Sequence, residues 1–262
     1  MISYPLSPKV VQKEKDQAVF QIEGLYPGYG VTIANALRRV LLSSLPGVAV
    51  TEVKIKGVQH EFSTIPGALE DVIMIVQNLK NLRFKIFEGE SHKIELKVKG
   101  ERKIKGSDFK IPSQVKLANP DCHIATLTNA KAEIEMEILI ERGLGYEPKD
   151  RRKKKKSEIG VIALDAIYTP IKTVSFQIEN MRVGDRTDYD RLNLRIETDG
   201  TITPEEAFAD SCQILIKHFN IFVEPHTMDA EKVLRKEDGE DTAKPQKAKK
   251  EVKVKKVKKA KK

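Results

Sequence analysis

The hydrophobic positions change period several times along the chain, and those changes mark its elements. Ala18-Val19-Phe20-Gln21-Ile22-Glu23-Gly24-Leu25 alternates loosely at period two and ends at Pro27-Gly28, as a strand running into a turn does. Residues 29–44 then spread Ile33, Ala34, Ala36, Leu37, Val40, Leu41 and Leu42 over more than half of a helix surface. Thr32 is placed to cap that helix, and Leu45-Pro46-Gly47 stops it, because proline cannot donate and glycine can turn. Val48 to Phe62 returns to strand period. Pro66-Gly67-Ala68-Leu69-Glu70-Asp71 predicts the opening of a second helix, with Pro66 in its first turn and Val72, Ile73, Ile75, Val76 and Leu79 on its apolar face. Residues 82–142 read as strand after strand. The clearest is Ala132–Glu141, where Ile134, Met136, Ile138 and Ile140 alternate with glutamates. Gly143 opens a loop to about Ile159, and strands follow at Val161–Ala166, Lys172–Glu179 and Asn193–Thr198.

Asp199-Gly200 is a turn signal, and Thr203-Pro204-Glu205-Glu206 is a capping box that starts the last helix. On that helix Phe208, Cys212, Leu215, Phe219 and Phe222 make a seam one stripe wide. The pattern is α+β, mostly antiparallel strand with few helices. The two strongest helices lie near opposite ends of the folded part, which predicts a discontinuous domain. Residues 1–46 and 172–228 fold together, residues 47–171 are an inserted mixed-strand domain, and residues 229–262 are a disordered lysine-rich tail.

Charge sharpens this division. The formal net charge is +9, but Lys244–Lys262 holds eleven lysines against Glu251, so the rest of the chain is near neutral. A second basic cluster, Lys149–Lys156, holds seven bases and Asp150. Any nucleic-acid contact must rest on these two segments, and it would be indifferent to sequence and steeply salt-dependent. No aromatic follows Phe222, which excludes base stacking by the tail. The two cysteines, Cys122 and Cys212, make neither a CxxC pair nor a disulfide framework, as expected for a cytoplasmic protein. No apolar run reaches the roughly 18 residues a membrane span requires, and no secretory signal is expected.

Candidate chemistry is sparse. Gly28-Tyr29-Gly30 lacks the third glycine of a dinucleotide fingerprint, and no P-loop lysine follows. Asp185, Asp188 and Asp190 are interleaved with Arg186 and Arg191, which points to a salt-bridged, protein-binding surface loop more than to a metal site. The five histidines are scattered and no catalytic set emerges, so no catalytic residue, metal or cofactor is expected. Arg38-Arg39 is the sharper feature. The two side chains leave the helix about 100° apart, so they serve different contacts. A helix this apolar, with two guanidiniums in its middle, belongs at a seam between chains.

The run Gly28–Ser44 with Leu45-Pro46-Gly47-Val48-Ala49-Val50-Thr51-Glu52-Val53 resembles the signature of the bacterial RNA polymerase alpha subunits. His60–Thr64 with Glu70-Asp71, Glu141–Tyr146, and Asp188–Asn193 through Glu197–Ala207 follow in the family's order. The resemblance implies a dimerisation domain made from the chain's ends, with a strand domain inserted between them. It implies a homodimer that pairs through the first and last helices. The expected interface there is Ile33, Ala34, Leu37, Leu41, Phe208, Leu215, Phe219 and Phe222. It implies a non-catalytic scaffold that nucleates assembly of the beta and beta-prime subunits, with Arg39 and Leu42 touching beta; the protein-binding loop read above, Asp185, Arg186 and Asp188, is expected to meet another subunit. As part of the polymerase it would lie with the nucleoid in the cytoplasm. The family commonly carries histidine where Val31 stands, and acidic residues where Arg151–Lys156 stand. Its helical C-terminal domain is not expected here, so promoter-element and activator contacts are not carried over. The lysine tail is read either as a solubilising extension or as a hold on upstream DNA without sequence preference. The alternative is a basic RNA- or ribosome-associated binding protein, which the basic loop and tail also fit.

Overall fold

The computed structural model describes residues 4–151 and 160–237, with side chains described as far as Val223. Arg152–Lys156 of the basic cluster and the lysine tail from Lys244 lie outside the described residues. In chain order the elements are β1 (Lys9–Lys13), β2 (Gln17–Leu25), α1 (Tyr29–Ser43), β3 (Pro46–Ile55), α2 (Val72–Lys80), β4 (Phe84–Ile86), β5 (Ser91–Lys99) and β6 (Arg102–Lys105). There follow β7 (Val115–Leu117), β8 (His123–Leu127), β9 (Glu133–Leu144), β10 (Tyr146–Glu147), β11 (Val161–Ala163), β12 (Ala166–Ile167), β13 (Ile171–Val183), β14 (Arg186–Thr198) and α3 (Pro204–Glu237). The fold is α+β, and every named strand pair is antiparallel.

One four-stranded sheet draws on both ends of the sequence, in the order β1-β2-β14-β13. The other, β11-β3-β9-β5, comes from the middle. Each has its own core. The first core packs Ala18 and Phe20 of β2, Leu194 and Ile196 of β14 and Val174 of β13 against Leu37, Leu41 and Leu45. The second lays Val72, Ile75, Val76 and Leu79 of α2 over Ile94, Leu96, Met136 and Ile138. On the solvent face of the second sheet the glutamates of β9 meet lysines of β5: Glu133 lies 2.7 Å from Lys99, and Glu137 lies 2.6 Å from Lys93. Each exposed pair contributes little by itself because water screens it, but together they oppose a slipped register. Between the layers, Arg83 Nε lies 3.4 Å from the nearly buried Asp199 carboxylate.

The chain also divides into a body that runs to Lys217 and a second unit that starts at His218. The described part of the second unit is the continuation of α3. That helix runs past the expected boundary at 228, because Ala230, Glu231, Lys232, Leu234 and Arg235 are all good helix formers.

Four local expectations are corrected. The strand read over Val48–Phe62 ends at Ile55, where Gly57 turns the chain at φ 82°. The second helix begins at Val72, not in the 66–71 segment. Asp71 caps it by accepting from Met74 N at 2.9 Å, and Gly67 instead makes a tight turn against Ala132. Val161–Ala166 is not one strand: β11 pairs with β3, whereas β12 pairs with β10. The supposed surface loop at 185–191 is mostly strand, because β13 and β14 form one long hairpin that turns at Gly184.

Candidate functional site

The surface around α1 is the candidate site, and it is set by how that helix starts. Gly28 stands before it in the left-handed region at φ 84°, where a side chain is disfavoured. The amides of Gly28 and Gly30 both donate to Asp190 Oδ2, each at 3.0 Å. A carboxylate from a distant strand therefore satisfies the helix's first donors and complements its positive end. Thr32 does not cap the helix as its position predicted. It lies inside the first turn, and its hydroxyl donates back to the Gly28 carbonyl at 3.4 Å. At the far end the capping box of α3 forms as read: Thr203 N donates to Glu206 Oε2 at 3.1 Å, and Glu206 N donates to Thr203 Oγ1 at 3.2 Å.

The eight expected dimer-interface residues divide by depth. Ala34, Leu37 and Leu41 are buried in the protomer's own core, with Leu41 at 0% exposure, so they have no area left for a second chain. The sequence counted the whole apolar surface of α1 as available, but the sheet beneath it was not visible. Ile33, Phe208 and Leu215 are half-buried, and the ring of Phe208 stacks on Phe20 at 4.6 Å. Phe219 (60%) and Phe222 (70%) are exposed. Sequence reasoning passed over Val31, Ile216, Ile221 and Val223, which are exposed apolar residues of the same two helices. Outward on α1 lie Val31, Asn35, Arg38 and Leu42 in one stripe and Arg39 on the next, with Tyr29, Thr32 and Ser43 also exposed. Both arginines are exposed, and neither makes an ion pair with a described residue.

The hairpin residues form a cluster of their own. Asp185 sits in the turn, whereas Arg186 and Asp188 lie on β14. Arg186 holds Asp188 in a two-pronged contact, Nε to Oδ1 at 3.0 Å and Nη2 to Oδ2 at 2.7 Å. Those bonds hold the Asp188 carboxyl below its ordinary range. The same guanidinium lies 5.5 Å from the ring centre of Tyr26 and 5.3 Å from that of Tyr189. The tyrosines were missed because they lie far apart in sequence.

Elsewhere the polar groups are structural. Glu70 receives Thr126 N at 2.6 Å and sits 2.8 Å from His123 Nε2. Partial burial opposes its charge, but the hydrogen bonds from His123 and Thr126 prevail and keep its carboxyl below the ordinary value. Burial raises both thiols, Cys122 and Cys212, away from reactivity. Among the described residues no cluster of three metal-ligating side chains occurs, and no helix is long and apolar enough to cross a membrane.

Among the described residues this surface offers exposed apolar side chains on α1 and α3, and guanidiniums on α1 that meet no described carboxylate. Residues 53–169 match the family described as RNA polymerase Rpb3/RpoA insert domain. The DNA-directed RNA polymerase subunit alpha of Carboxydothermus hydrogenoformans is 45% identical over 218 residues, which cover 82% of this chain and 69% of that protein. This chain belongs to the RNA polymerase alpha-subunit family. Two further subunits of that name are similar: that of Oceanobacillus iheyensis at 48% over 204 residues, and that of Syntrophomonas wolfei at 49% over 206. Each match covers 78% of this chain and 65% of the relative, so the chain spans about two thirds of the length of the curated proteins it matches. These relatives lend no support to the RNA- or ribosome-binding alternative.

Proposed function

We propose that this chain is a non-catalytic scaffold subunit of DNA-directed RNA polymerase. Two copies pair, and the pair nucleates assembly of the beta and beta-prime subunits in the cytoplasm. Residues 1–46 with 172–228 act as the dimerisation domain, and 47–171 form the inserted domain. The observation that carries the proposal is the run of exposed apolar side chains on α3, Ile216, Phe219, Ile221, Phe222 and Val223, in a member of the alpha-subunit family. Side chains of this size on one solvent-facing helix favour association with another protein surface.

Arg39 and Leu42 are assigned to the beta subunit, as the resemblance to the alpha-subunit family implies; both lie outward on α1, and no described carboxylate meets the guanidinium. Asp185, Arg186 and Asp188 are assigned to a further subunit contact at the hairpin tip. The lysine tail is assigned a sequence-indifferent hold on upstream DNA, on charge alone. The test is light scattering on the purified chain, then co-expression with the two large subunits. A dimer that captures beta is the expected result. A protein that stays monomeric at micromolar concentration and captures neither large subunit contradicts the reading.

A further inference from the structure

Leu144, Tyr146 and Ile167 are the part of this surface the reading above leaves unused. We infer that they form, with Leu42 and Arg39, one continuous platform for an apolar segment of the beta subunit that carries a carboxylate. The inference rests on the reading that Arg39 and Leu42 meet beta, and it extends that contact onto a second element.

The ribbon of β10 and β12 is pinned in place. Tyr168 N donates to the Gly145 carbonyl at 2.8 Å, and Tyr168 Oη donates to Glu147 Oε2 at 3.3 Å. The Tyr168 ring lies so close over β9 that a Cβ on Gly143 would come within 2.5 Å of it. A Cβ on Gly47 would come within 1.7 Å of the Tyr168 carbonyl oxygen, so both strands need glycine beneath this residue. Ala166 and Tyr168 are buried with Ala49, which by strand alternation turns Ile167 outward. Tyr146 is the register partner of Ile167, so the two side chains share the outer face. Leu144 and Tyr146 are each 61% exposed and Ile167 is 43% exposed, a large amount for three apolar side chains held on a rigid ribbon.

The ribbon also abuts the end of α1. Pro46 is the register partner of Leu144, and the Cβ position of Gly145 is 3.5 Å from the carbonyl of Ser43, the last residue of α1. Leu42 belongs to that last turn, and Arg39 stands just before it. The rim of the platform holds a cation: Arg39 is exposed and makes no ion pair with a described residue. An apolar patch with such a rim fits a segment that buries hydrophobic side chains and offers a carboxylate to a guanidinium. Because the supporting backbone is fixed by Tyr168, little ordering opposes docking.

The test compares Tyr146→Ser, Ile167→Ser and Arg39→Ala in the full chain. Titration against the beta subunit measures capture, light scattering measures the dimer, and thermal melting checks the fold. The platform predicts that each variant keeps its dimer and melting temperature, and that each weakens beta capture by roughly fivefold or more. If Arg39→Ala weakens capture and both ribbon variants bind as wild type, the platform is refuted and the function stands. If all three bind as wild type, the assignment of Arg39 to beta falls as well. If the ribbon variants lose the dimer instead, the patch belongs between copies of this chain, and the inference is overturned.

Discussion

Asp190 accepts a hydrogen bond from the amide of Gly30 at 3.0 Å, although the two residues lie 160 positions apart. The contact fastens the β13–β14 hairpin to the start of α1, so the orientation of the helix depends on a strand from the other end of the chain. A Cβ at Gly30 would stand 2.9 Å from the same carboxylate oxygen, so a side chain there would push the Asp190 carboxylate off the two amides.

Removing that carboxylate leaves two helix-start amides without a partner. Asp190→Ala is expected to cost about 1–2 kcal/mol of stability, the range of a lost helix cap. Asp190→Asn should cost less, because the amide oxygen still accepts. Urea denaturation of the two variants checks this, and equal midpoints for wild type and Asp190→Ala would refute the latch.

Depth separates stability from association. Leu41→Ala, at a fully buried position, is expected to destabilise the fold by about 2–5 kcal/mol. Phe219→Glu, at an exposed one, should leave the melting of the body unchanged and yield monomers or aggregates. Light scattering that shows an unchanged soluble dimer for Phe219→Glu would count against the α3 seam.

At the hairpin, Arg186→Lys keeps the charge but loses the planar fork that holds Asp188 and faces Tyr26 and Tyr189. The expected outcome is weaker capture of a large subunit with little change in melting temperature. Pull-down of beta and beta-prime by the variant measures it, and wild-type recovery of both would remove the hairpin from the assembly surface.

Glu70 sets an acid dependence. Its folded value lies below the ordinary glutamate value of 4.5, so its contribution is complete above that pH and is lost as pH falls through the folded value. Glu70→Gln should therefore lower stability at pH 7 and flatten the loss of stability below about pH 4.5. Chemical denaturation at pH 7 and pH 4 reads the difference, and parallel pH curves would exclude this role.

Much of the α1 surface was legible in outline. The stop at Leu45-Pro46, the alternation along β9 and the capping box at Thr203 are local signals, and each formed where the chain placed it. The Asp190 cap was not legible. A residue that caps from another strand looks in sequence like one more member of an acidic cluster. The Tyr26–Arg186–Tyr189 stack was hidden for the same reason: its members meet only after β2 and β14 pair. Tyr146 was absorbed into the loop read from Gly143 to about Ile159, and Ile167 fell just past the strand read over Val161–Ala166, because two-residue strands are too short to show a period.

By itself the sequence determined the α+β class, the approximate course of most strands and the alpha-subunit family, because period, caps and motif order are properties of neighbouring residues. Only the tertiary structure decided which apolar residues of α1 remain for a partner. Burial depends on what covers a side chain, and the sheet that covers Leu37 and Leu41 is assembled from β2, β13 and β14, drawn from both ends of the chain.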